Sequence, residues 1–154
     1  IIGLNMQGGT SVFISTKGRY ALRVMVDLAE HQDEGFVPLK EIAQRQEISE
    51  KYLEAVLKVL VRERILVGLR GKGGGYKLGK PPEQYKVGTI LRLTEGELAP
   101  VACLESHALP CSRAAQCRTL PMWEKFDQVV TEFFDGYTIA DLMRSAHDEN
   151  NDIT

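Results

Sequence analysis

Three cysteines, Cys103, Cys111 and Cys117, lie in one stretch, eight and six positions apart. Thiolates are soft ligands that suit iron–sulfur clusters, and they suit zinc as well. His107 stands between the first two cysteines and adds an imidazole, giving a Cys₃His set, with Glu105 as an alternative fourth ligand. On chemistry alone the same set reads as a cluster site, as a structural zinc site, or as a metal-free switch in which two thiols oxidise to a disulfide. An odd number of cysteines cannot all pair within one chain. With no secretory signal evident, the expectation is a reducing, cytoplasmic setting.

A second stretch with chemical potential is glycine-rich: Arg70-Gly71-Lys72-Gly73-Gly74-Gly75-Tyr76. Its glycines, taken with Gly79-Lys80, approach the spacing of a phosphate-binding loop, but Pro81 occupies the place where such a loop requires Ser or Thr. As the tip of a β-hairpin, the stretch makes better sense. Glycine permits positive φ and close approach of backbone amides to phosphates, and Arg70 and Lys72 supply charge. A plain hairpin without a ligand is the alternative.

The charge distribution agrees with a phosphate-facing surface. The net charge is only −2, yet from Lys58 to Lys80 seven basic residues face a single acid, Glu63. From Glu124 onward there are eight acids and two bases. A basic middle and an acidic end fit a nucleic-acid face and a solvated far side.

These residues need elements to position them. Tyr20, Ala21, Val24, Met25 and Leu28 recur at helical spacing, predicting a helix over Lys17–Glu30 capped by Ser15 or Thr16. Leu39–Arg45 predicts a short second helix, and Ser49 caps a third that runs to about Glu63. Two helices joined by so short a turn form a helix-turn-helix, whose second helix enters a groove of DNA. In that third helix Tyr52, Leu53, Val56, Leu57 and Leu60 make an apolar stripe. Ile65–Arg70 and Tyr76–Leu78 read as the two strands of a hairpin directly after it, a wing. Residues 86–95 predict a further helix, and 97–120, with all three cysteines, a loop. Leu120, Trp123, Phe126, Val130 and Phe133 predict an apolar helix after it, interrupted at Gly136. That helix carries more apolar surface than a small winged domain needs, which points to dimerisation.

The expected fold is therefore mainly α with a small β-hairpin wing: a winged helix-turn-helix plus a long C-terminal dimerisation helix. Its divisions are 1–13, an extension or cloning remnant; 14–96, the DNA-binding domain; 97–120, the cysteine loop; 121–147, the dimerisation helix; and 148–154, a flexible tail. The candidate DNA contacts are Ser49, Lys51, Tyr52 and Glu54 on the third helix. Arg70, Lys72, Gly73 and Gly74 join them from the wing, and Lys17, Arg19 and Tyr20 from the first helix. No apolar run is long enough to span a membrane. No base–nucleophile pair or cofactor fingerprint points to an enzyme.

Three motifs, in order, also resemble a known family. Ile14-Ser15-Thr16-Lys17-Gly18-Arg19-Tyr20-Ala21-Leu22, Ile48-Ser49-Glu50-Lys51-Tyr52-Leu53-Glu54 and Arg70-Gly71-Lys72-Gly73-Gly74-Gly75-Tyr76-Lys77-Leu78 are similar to those of the Rrf family of bacterial regulators. The resemblance implies a homodimer on a double-stranded operator, with a long helix crossing to the partner. Its three-cysteine members carry a [2Fe–2S] or [4Fe–4S] cluster in the loop before that helix, the former being expected here. Cys103, Cys111 and Cys117 occupy that place, and iron–sulfur assembly proteins are implied as further partners. Two departures stand out. Iron–sulfur members often have a His where this chain has Leu120, and many members have Gln where this chain has Ala55, which removes a bidentate partner for adenine.

Overall fold

The computed structural model describes residues 14–148. The expected extension 1–13, and the expected tail beyond Asp148, lie outside the described residues. Six α-helices and one hairpin follow in the order α1 (Thr16–Glu30), α2 (Leu39–Gln46), α3 (Glu50–Arg62), β1 (Leu66–Leu69), β2 (Gly75–Leu78), α4 (Val87–Glu95), α5 (Leu120–Asp135) and α6 (Ile139–Asp148).

The helix-turn-helix forms as its pattern dictates. Ile42 and Ala43 of α2 and Leu53, Val56, Leu57 and Leu60 of α3 turn inward onto Ala21, Val24, Met25 and Leu28 of α1. Ser49 accepts a hydrogen bond from the Tyr52 N–H at 3.2 Å and so caps α3. The stripe is narrower than expected at its start. Tyr52, in the first turn of α3, is 38% exposed, whereas Leu53 beside it is fully buried. Between α2 and α3 the chain turns through Glu47, which sits in the left-handed region at φ 54°.

The wing is a two-stranded antiparallel hairpin with Leu66 opposite Leu78 and Leu69 opposite Gly75. Val37, just before α2, exchanges backbone hydrogen bonds with Tyr76 at 2.9 and 2.8 Å, tying β2 to the helical core. The base of the hairpin is closed by buried Tyr85. Its hydroxyl donates to the Ile65 carbonyl at 2.8 Å and accepts from the Gly79 and Lys80 N–H groups. Burial raises the Tyr85 phenol above its ordinary range, so it stays protonated as that donor.

The apolar segment after the cysteine loop, expected to be interrupted at Gly136, forms two helices, α5 and α6. Gly136 to Thr138 break it, and the chain there pairs with the start of α4: Val87 N–H donates to Tyr137 O, and Ile139 N–H to Tyr85 O, both at 2.9 Å. This pairing turns α6 back onto α1, and Ile139 is fully buried in the main core. The α5 stripe read from the sequence also divides. Val130 is buried and Phe134 packs with Val87, Leu91 and Leu98, whereas Phe126 and Phe133 face outward. An ion pair between Arg92 and Asp135 at 2.8 Å fixes α5 against α4.

Candidate nucleic-acid interface and cysteine loop

One end of the molecule gathers the N-termini of α1 and α3. Tyr20 meets Tyr52 edge to face, with ring centroids 5.5 Å apart, and the Arg23 guanidinium lies over the Tyr20 ring at 5.0 Å. Thus Tyr20 and Tyr52, both candidates from the sequence, touch each other. Ser49, Lys51 and Glu54 are exposed beside them on α3. On α1, Arg19 is exposed and holds Thr16 through a 3.2 Å hydrogen bond, while Lys17 is half-buried. The helix carrying Lys17 and Arg19 is stapled to α2 from within. Buried Asp27 accepts from Arg45 Nη2 at 2.7 Å, from Arg45 Nε at 3.0 Å and from Gln46 Nε2 at 2.8 Å. Its carboxylate beside Arg45 raises that guanidinium's already high pKa.

Arg70 and Lys72 are exposed at the far end of the hairpin. Gly71 and Gly73 take φ of 89° and 74°, a backbone that side chains disfavour, and the Gly74 N–H closes the turn on the Gly71 carbonyl at 3.0 Å. A side chain at Gly74 would collide with the Leu69 and Gly71 carbonyls. The glycines therefore build the tip.

Between α3 and the wing runs a groove of about 480 Å³, lined by the charged Glu54, Lys58, Arg62 and Arg70 together with Val61, Leu69 and Tyr76. Glu54 and Arg70 thus share one groove, while Lys72, Gly73 and Gly74 lie beyond it. Lys58 and Arg62, not among the candidates read from the sequence, line the same groove. Their signal is the four-residue spacing Glu54, Lys58, Arg62, which lays all three along one side of α3.

The cysteine loop follows α4. Glu97 anchors it: its carboxylate accepts from the Ser106 hydroxyl and from the Ser106 N–H at 2.9 Å, and these bonds, the hydroxyl's first, hold Glu97 below the usual carboxylate range. Cys103 and Cys111 are exposed and Cys117 is partly covered. The Thr119 hydroxyl, 3.5 Å from the Cys117 sulfur, and then the N–H groups of Thr119 and Leu120 at the start of α5 hold that thiol below its ordinary range. A thiolate there is the form that ligates metals and attacks disulfides.

Among the described residues, no three His, Cys, Asp or Glu side chains are gathered where one metal ion would sit. The loop places Cys103, Cys111, Cys117 and His107 in one segment but not around one point. Its regular structure is two 3-10 turns, Ala102–Leu104 and Ala114–Gln116, each too short to draw distant thiols together. The donor set itself, three thiols with one already biased towards thiolate, fits a thiophilic metal or cluster.

Known proteins share this architecture. The family model described as Rrf2, iron-dependent transcriptional regulator, matches residues 14–145. The transcriptional regulator IscR of Aliivibrio salmonicida is 34% identical over 130 residues, covering 84% of this chain and 76% of its own. The solved structure of IscR from T. potens superposes with a TM-score of 0.69 at 38% identity, over 88% of this chain and 89% of that one. CymR, described as the global cysteine regulator of B. subtilis, also superposes with a TM-score of 0.69, at 36% identity, over 86% of this chain and 96% of its own. These relatives are regulators of transcription, not enzymes. With a winged helix-turn-helix, a glycine-built wing and this likeness along nearly its whole length, the chain belongs to the Rrf2 family of DNA-binding transcription regulators.

Proposed function

We propose that the chain binds operator DNA as a homodimer and that an iron–sulfur cluster, [2Fe–2S] rather than [4Fe–4S], held by Cys103, Cys111 and Cys117 controls that binding. The observation that carries this reading is three thiols confined to one exposed loop, bounded on one side by the DNA-binding unit and on the other by α5. Cys117, biased towards thiolate at the mouth of α5, is the ligand readiest to bind. His107 is the proposed fourth ligand, and it lies next to Ser106, which Glu97 anchors. When bound, the cluster supplies a redox- and nitric-oxide-reactive centre, and iron–sulfur assembly proteins are the partners that would deliver it.

On the DNA side, Lys51, Tyr52 and Glu54 enter the major groove on α3, with Ser49 as cap and Glu54 accepting from cytosine N4. Arg70 and Lys72 reach the backbone or minor groove from the wing, where Gly73 and Gly74 let the backbone come close. Lys17, Arg19 and Tyr20 anchor α1 to phosphates.

For the dimer, α5 offers the surface. Met122, Phe126, Val129 and Phe133 are between 44% and 58% exposed and fall at helical spacing on its outward face. A 16-residue helix is about 24 Å long, enough for a two-fold helix–helix contact.

Anaerobic purification followed by assays for iron, acid-labile sulfide and zinc tests the cluster. Iron with matching sulfide and visible absorption is expected. Zinc without sulfide would overturn the cluster and leave a structural zinc regulator. A second reading, a metal-free thiol switch, is favoured by one observation, the lowered Cys117 thiol. It requires neither metal and a disulfide after mild oxidation.

A further inference from the structure

Helix α1 lacks a cap of its own. Ser15 is at its N-cap position, yet the Ser15 side chain caps no N–H of the helix. Its hydroxyl instead donates to Glu95 Oε1 at 2.6 Å. The same oxygen accepts from the Ser15 N–H at 2.9 Å and from the Gly18 N–H at 3.1 Å. In an ordinary capping box the side chains of the N-cap residue and of the third helical residue, here Ser15 and Gly18, satisfy these two N–H groups from within the helix. Here a single carboxylate from the end of α4, 80 residues along the chain, satisfies both. Its negative charge also lies at the positive end of the α1 dipole.

Gly18 is what lets the carboxylate in. It is buried inside a helix, where glycine costs about 1 kcal/mol relative to alanine. A Cβ at this position would collide with Glu95 Oε1. Alanine would suit the helix better but would expel the cap. On either side of Gly18 stand Lys17 and Arg19, and one residue further is Tyr20, which packs against Tyr52 of the recognition helix.

We propose that Glu95 is a positioning residue for DNA binding: by capping α1 from α4, it fixes the first turn that presents Lys17 and Arg19 to the operator backbone. The proposal rests on the reading that these two residues contact phosphates. Glu95 itself faces the helix terminus and touches no DNA. Its effect is therefore indirect and disappears when the cations it positions are removed.

The test is a double-mutant cycle on the full-length protein, with a duplex selected by the wild type from a random pool. Glu95→Ala is expected to weaken binding about tenfold, the equivalent of a lost N-cap. Glu95→Gln, which keeps an acceptor oxygen, is expected to recover most of that loss. Replacing Lys17 and Arg19 by Ala weakens the wild type but adds little in the Glu95→Ala background. Amide exchange at Ser15 and Gly18 rises in Glu95→Ala without DNA present. Additive losses across the cycle, or unchanged binding by Glu95→Ala, overturn the role of Glu95. A wild type whose affinity does not depend on Lys17 and Arg19 overturns the phosphate-contact reading and the proposal with it, a result distinct from the first two.

Discussion

Asp27 and Arg45 form a two-pronged ion pair between α1 and α2, with Oδ1 2.7 Å from Nη2 and Oδ2 3.0 Å from Nε. The carboxylate side chain is 2% exposed and the guanidinium 30%, so the pair is buried on one side and open on the other. Gln46 and His31 complete the shell around the acid. The angle between the two helices of the DNA-binding unit is thereby set by a polar contact as well as by packing.

Removing Arg45 leaves Asp27 as a buried charge without its main partner. Arg45→Ala is expected to destabilise the fold by about 3 kcal/mol, the low end for a broken buried pair because Arg45 is partly solvated. Chemical denaturation of wild type and variant, read by helical circular dichroism, measures it. A loss within a few tenths of a kcal/mol would mean that packing alone fixes α2.

At the turn of the helix-turn-helix, Glu47 occupies a left-handed conformation that costs a non-glycine residue about 1 kcal/mol. Glu47→Gly is therefore expected to raise the thermal midpoint. It also removes an exposed negative charge beside α3, so operator binding is expected to hold or tighten. Thermal melts and fluorescence anisotropy together decide this, and a lowered midpoint would contradict the strain argument.

The wing gives a sharper prediction. Arg70→Ala is expected to weaken operator binding by about 1–3 kcal/mol if the guanidinium reads a base edge or narrow groove. Lys72→Ala should act uniformly across sequences and reduce the salt dependence by about one counterion. Titrations at several salt concentrations separate the two. Arg70→Ala protein that binds like wild type would remove Arg70 from the interface.

Helix α6 has the local capping box that α1 lacks. The Thr138 N–H donates to Asp141 Oδ2 at 2.9 Å, and the Asp141 N–H donates to Thr138 Oγ1 at 3.2 Å. These bonds, the Thr138 N–H first, hold the Asp141 carboxyl below its usual range. A depressed folded pKa contributes stability that is complete above the ordinary carboxylate range and is lost as pH falls through it towards the folded value. Wild type should lose more stability than Asp141→Asn over that acid interval. Equal losses in parallel pH titrations of the melting midpoint would show that the box carries no linked proton.

The outward face of α5 predicts assembly. Phe133→Asp, or Phe126→Asp, is expected to convert a dimer to monomer in sedimentation while leaving the helical content of each chain unchanged. Both side chains are exposed in the single chain, so a loss of helicity on mutation would instead place them in an intrachain core.

The DNA-binding unit was legible because its information is local. Ser49 announces α3, the 3.6-residue period of Leu53, Val56, Leu57 and Leu60 gives its buried side, and the glycines at 71 to 75 leave little but a tight hairpin tip. What escaped depends on contacts distant in sequence. That Glu95 would cap α1, that Tyr85 would lock the hairpin base, and that Ile139 would return to the core cannot be read from their neighbours. The apolar residues of α5 were visible, but their division between Val130 inward and Phe133 outward depends on where α4 lies. The cysteine segment was found by composition alone. Its short 3-10 turns leave no periodic signal from which the thiols' mutual approach could be derived.

The central claim, that a cluster at Cys103, Cys111 and Cys117 controls DNA binding, is tested most directly by measuring operator affinity before and after anaerobic removal of bound iron. The same protein preparation and the same duplex, selected from a random pool, serve both arms. The account predicts a change of at least about tenfold, equivalent to roughly 1.4 kcal/mol of coupling, and no change in a variant with all three cysteines replaced by Ala. Equal affinities in the two arms, from protein shown to hold the cluster at the start, would contradict it.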